Sequence, residues 1–125
     1  MRKILFRAKY EDKWVYGDLL QDGKGFYEIF EQLPTAKHYS VDGDTVGQYT
    51  GLHDKHGKRI FEGDVITENS PSGNGTIFIG YVEYNEKLTC FDFVMKNRTL
   101  HTLGSYSNSY IVVGNVYDNS ELIGG

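Results

Sequence analysis

Apolar and polar residues alternate along most of this chain, and the repeat is two rather than 3.6. Ile4, Phe6 and Ala8 fall between Lys3, Leu5, Arg7 and Lys9, the spacing of a half-buried strand. A polar turn at Glu11-Asp12-Lys13 leads into Trp14-Val15-Tyr16-Gly17-Asp18-Leu19-Leu20, and Asp22-Gly23 with Gly25 reads as the bend of a hairpin returning along residues 26–30. These segments predict an N-terminal antiparallel meander. From 31 to 43 the pattern weakens. Gln32-Leu33-Pro34-Thr35 interrupts it, residues 28–33 fit one helical turn as well as a strand, and 37–41 predicts a short strand before a turn at Asp42-Gly43-Asp44.

The alternation returns over 45–52 and 59–66, divided by Asp54-Lys55-His56-Gly57. Asp opening a turn and Gly at its fourth place, where a positive φ is needed, are the chemistry of a short hairpin loop. Residues 69–75, with Pro71, Gly73 and Asn74, predict an exposed loop tip, followed by strands at 76–84 and 88–95. A Gly/Ser/Asn loop over 102–109 precedes a last strand at 110–117, and 118–123 suits one helical turn capped by Asn119 or Ser120. No stretch of eleven residues carries helical apolar spacing, so the chain is predicted to be mainly β.

One short pattern occurs three times: Gly17-Asp18, Gly63-Asp64 and Gly114-Asn115, each followed by two apolar residues. Glycine permits a bulge or bend where a strand begins, and a short polar side chain can bond the interrupted backbone beside it. Such corners are how small barrels turn. They predict shared local geometry rather than a repeat.

Composition changes the picture mainly by exclusion. With 125 residues, the chain is long enough for one domain or two very small ones, and 10 Tyr and 7 Phe supply the apolar area of a core. That aromatic content excludes intrinsic disorder. The single cysteine, Cys90, has no disulfide partner within the chain and reads as a reduced thiol in a strand, which fits a cytoplasmic location. No apolar run approaches the ~20 residues that cross a bilayer, and Arg7 and Lys9 break the N-terminal segment before a signal-peptide core can form. A net charge of −4 argues against general nucleic-acid binding but leaves room for a local basic patch.

The block Thr45-Val46-Gly47-Gln48-Tyr49-Thr50-Gly51-Leu52, followed by Asp54-Lys55-His56-Gly57-Lys58-Arg59-Ile60-Phe61-Glu62-Gly63-Asp64-Val65, resembles the YopX family. The likeness extends to Phe6-Arg7-Ala8 and Trp14-Val15-Tyr16-Gly17 near the start, and to Val113-Gly114-Asn115-Val116-Tyr117 with Asn119, Glu121 and Leu122 near the end. It implies a β-rich fold with an SH3-like barrel in its C-terminal part and an origin in phages or prophages. It carries over no catalytic residue. The expected organisation is an N-terminal β subdomain over 1–57 and an SH3-like barrel over 58–125, able to form one compact unit.

Candidate chemistry is sparse. His53-x-x-His56 with Asp54 is a compact set of metal-ligand types, but it is one ligand short, and turn histidines are the simpler reading. Asp42, Asp44 and Asp54 miss the twelve-residue calcium template. Glu62 and Asp64 would share a strand face for acid–base work only if Gly63 made no bulge. Ser72-Gly73-Asn74-Gly75 lacks the lysine of a phosphate loop. Tyr81, Tyr84, Phe91 and Phe93 could stack bases, though core packing is the commoner use. The expected interaction patch is therefore His53, Lys55, His56, Lys58 and Arg59, with no metal, cofactor or catalytic site. The expected role is a cytoplasmic, non-enzymatic accessory module that binds a host or phage protein through barrel loops or an exposed sheet edge, an edge that also permits self-association. The alternative is nucleic-acid binding through the 53–59 basic turn.

Overall fold

The computed structural model describes residues 2–69, 76–95, 100–103 and 109–124, and their side chains except at 69, 76, 77 and 100–102. The loops predicted at 69–75 and 102–109 fall mostly on 70–75 and 104–108, outside the described residues. The rest is almost entirely antiparallel strand, so the mainly β class read from the alternation holds. The chain divides into two compact units, Met1–Tyr49 and Thr50–Gly125.

In the first unit, β1 (Phe6–Tyr10) and β2 (Lys13–Gln21) form a hairpin closed by Glu11-Asp12, with Tyr10 opposite Lys13 and Lys9 opposite Trp14. β2 then changes partners. Its pairing with β1 ends at Gly17, and pairing with β3 (Tyr27–Phe30) begins one residue later, Asp18 against Phe30. A Cβ at position 17 would overlap the Phe30 carbonyl, which is why glycine stands at this crossing. The short β4 (His38–Ser40) lies outside β3, and the first part of β5 (Asp42–His53) lies outside β1, giving the order β4-β3-β2-β1-β5.

The β1–β5 register shifts between Arg7 and Lys9. Thr45 closes the gap: its hydroxyl accepts the Lys9 N–H at 2.8 Å and donates to the Asp42 carbonyl at 2.7 Å. Residues 42–44, predicted as a turn, are thereby drawn into the strand. The core is Ala8, Val15 and Ile29, with Phe6, Tyr10, Leu19, Tyr39, Val41 and Val46 against it. Phe6, Ala8 and Tyr10 share one face of β1, as alternation assigns, but the alternation fails at its flanks: Ile4 is exposed, while Leu5 and Arg7 are buried.

In the second unit, the last residues of β5 run beside β6 (Arg59–Phe61), and the Thr50 hydroxyl donates to the Ile60 carbonyl at 2.8 Å. β7 (Asp64–Asn69), β8 (Thr76–Asn85), β9 (Cys90–Met95), β10 (Leu100–Thr102) and β11 (Tyr110–Asn115) form a sheet ordered β10-β9-β8-β7-β11, and a 3-10 helix follows at Ser120–Ile123. The barrel expected for 58–125 is not closed among the described residues: β10 and β11 are both end strands of an open sheet. Among the described residues the outer edge of β11 meets the turn at Asp54-Lys55 instead of a strand.

The core gathers Ile60, Ile66, Val82, Phe93, Met95, Leu103 and Tyr110, with Phe93 and Tyr110 stacked at 6.1 Å. The β8–β9 hairpin is organised by Asn85. Its side-chain oxygen accepts the amides of Lys87 and Leu88, and its amide group donates to the buried Asp92 carboxylate at 2.8 Å.

The three glycine pairs do three different jobs, so no common geometry links them. Gly17 allows a close approach inside a strand. Gly63 turns the chain between β6 and β7 at φ 91°, and Gly114 follows the register shift in β11. The polar partners behave as predicted at two of the three. Asp64 accepts the Phe61 amide at 2.7 Å, and Asn115 accepts those of Tyr117 and Asp118.

Candidate functional site

The turn from His53 to Arg59 is built around Asp54. Gly57 takes φ 82°, the positive value predicted for it, and the Asp54 amide donates to the Lys58 carbonyl at 2.7 Å. The Asp54 side chain turns inward and is only 6% exposed. One carboxylate oxygen accepts the amides of His56 at 2.8 Å and Lys58 at 2.9 Å, the other that of Val112 in β11 at 3.0 Å. Next to this last bond, the Lys55 amide donates to the Tyr110 carbonyl at 2.8 Å. Burial pushes the Asp54 carboxyl up. The amides of Val112, Lys58 and His56, with the nearby His56 ring, outweigh that and hold it below the usual aspartate value.

Turning the carboxylate inward leaves the basic side chains outside. His53, Lys55, His56, Lys58 and Arg59 are all exposed. Three cations therefore surround a turn whose one carboxylate is buried and bonded to amides, and both ends of the turn continue directly into strands. A backbone fixed in this way loses little freedom when a ligand engages the side chains. The five residues singled out in the sequence do lie together on one surface turn. The Asp54 carboxylate is directed to the amides of His56, Lys58 and Val112, whereas His53 and His56 are exposed. No group of three His, Cys, Asp or Glu among the described residues is placed to hold a metal ion.

The other candidate groups are structural. Asp64 is 1% exposed and bonded to the backbone, while Glu62 belongs to the turn at Gly63. Phe93 is in the core, and Phe91 packs against it and meets Tyr84 edge-on at 5.2 Å. The Cys90 thiol, half-buried at the start of β9, is 3.7 Å from the Asp92 carboxylate. No helix among the described residues is long and apolar enough to cross a membrane.

One cluster around Trp14, in which Arg7 is buried, was not read from the sequence. Arg7 and Lys9 both lie over the Trp14 ring, at 4.6 and 5.5 Å from its centre, and Lys13 lies 5.2 Å from the Tyr39 ring. The two-residue turn at Glu11-Asp12 was the available signal. It fixes the hairpin register and so sets Lys9 opposite Trp14.

Two solved structures share this arrangement of strands. Protein yopX from Bacillus subtilis superposes with a TM-score of 0.65 at 19% identity, covering 98% of each chain. Protein EF1440 from Enterococcus faecalis superposes with a TM-score of 0.57 at 23% identity, covering 98% of this chain and 99% of that one. At these identities the likeness is one of fold. No curated protein matches the chain. The family model for the YopX protein matches residues 5–124, nearly the whole length, and the chain belongs to the YopX family.

Proposed function

We propose that this chain is a non-enzymatic binding module, a cytoplasmic accessory protein of phage or prophage origin that engages an acidic protein surface through the 53–59 turn. The observation that carries the reading is the pinned turn: Asp54 fixes the backbone while His53, Lys55, His56, Lys58 and Arg59 stay exposed. Preorganised cations steer encounter with an acidic partner and fix its register. The buried carboxylates support a non-enzymatic role, since Asp54, Asp64 and Asp92 each bond to fixed donors of the fold.

Affinity capture from cells carrying the encoding prophage, run in parallel with a Lys55→Glu/Lys58→Glu/Arg59→Glu variant, tests this. A protein retained by the parent chain and lost by the variant supports the reading. Capture of the same set by both chains overturns it. Nucleic-acid binding through the same three cations is the second reading, favoured by their crowding within five residues. It predicts a slope of about −3 in log K against log salt for duplex DNA, and the absence of any salt-sensitive binding removes it.

A further inference from the structure

The Asp54 turn also occupies an edge. β11 ends the second sheet, and among the described strands its one neighbour is β7. Its residues Tyr110-Ile111-Val112-Val113 carry no charge and no proline, and Val113 is 44% exposed. An uncharged, β-branched end strand with open backbone groups is a template for strand addition. Here the two outer groups that flank Ile111 are taken. The Lys55 N–H fills the Tyr110 carbonyl, and the Asp54 carboxylate accepts the Val112 N–H. An antiparallel neighbour would supply the same pair, one donor and one acceptor flanking Ile111. The carboxylate stands in for the missing carbonyl. Further along, the Asn119 side chain accepts the Asn115 amide at 3.1 Å, so a second polar side chain closes the far end of the strand.

We propose that Asp54 guards this edge, and that removing it opens β11 to antiparallel pairing with β11 of a second copy of this chain. A strand that pairs with itself about a two-fold axis is self-complementary, so the second copy supplies the edge it needs. The inference is independent of what the basic turn binds.

The test uses the full chain with Asp54→Ala and Asp54→Asn, followed by sedimentation and by hydrogen exchange at Val112. Both variants are expected to exchange the Val112 amide about tenfold faster or more, as befits loss of a hydrogen bond to a charged acceptor, and to self-associate as concentration rises while the parent chain does not. Val113→Lys added to either variant should restore the monomer, because a charge on the strand blocks pairing. If a variant precipitates, the same addition should return it to solution as a folded monomer. Variants that stay monomeric at the parent's concentrations, or association or precipitation that Val113→Lys does not reverse, would overturn the proposal.

Discussion

At the scale of single residues, Asp54 carries more of the turn than any exposed side chain does. Asp54→Ala removes the acceptor of three amides, among them the part-buried Val112 N–H, which is expected to cost about 3 kcal/mol in denaturant unfolding. The carboxyl lies below its ordinary value in the folded state. Its contribution is therefore complete above the unfolded aspartate pKa, near ~4, and is lost as pH falls through the lower folded value. Asp54→Asn should accordingly flatten part of the acid limb of a stability–pH curve, and an unchanged limb would contradict this. Gly63 is a second sensitive position. Its φ of 91° is unfavourable for a side chain, and a Cβ would come within 3.1 Å of the Tyr117 ring. Gly63→Ala is expected to lower stability by about 1–3 kcal/mol. The inward turn of Asp54 was not legible in the sequence because its partner, Val112, is 58 residues away. The positive φ at Gly57 was legible because the need for it is local.

Elements were read well where alternation ran for five residues or more and poorly where it could not. β1 through β9 and β11 fall on the segments that predicted them, although the segment 59–66 is split into β6 and β7 by the turn at Gly63. β10, three residues long, offers no period to detect. Asp42–Asp44 has the composition of a turn, yet it lies in β5 because Thr45 supplies the bonds that the shifted register leaves open. The β8–β9 hairpin gives a prediction at this scale. Asn85→Ala deprives buried Asp92 of a donor and two turn amides of their acceptor, an expected loss of about 2 kcal/mol. Asn85→Asp keeps the acceptor but sets a second carboxylate against Asp92. At neutral pH it should unfold more easily than the alanine variant, and the difference should shrink in acid. Chemical unfolding at two pH values would reveal a reversed order.

At the scale of the molecule, each unit has its own buried cluster, and the larger one depends on Phe93, which is 1% exposed and stacked on Tyr110. Phe93→Ala is expected to cost about 3–5 kcal/mol, read as faster amide exchange across β7–β9. The aromatic richness of the chain foretold such a core, but not that the sheet beside it would be open among the described residues, because closure depends on which group meets the edge of β11. The division between the units falls at Tyr49/Thr50, inside the twelve-residue β5. Domains are usually parted at exposed linkers, where proteases nick and where chains are safely shortened. Here the boundary residues are strand, with Tyr49 only 6% exposed. Limited digestion should therefore spare this boundary, and a fragment ending at 49 would carry a severed strand instead of a natural terminus.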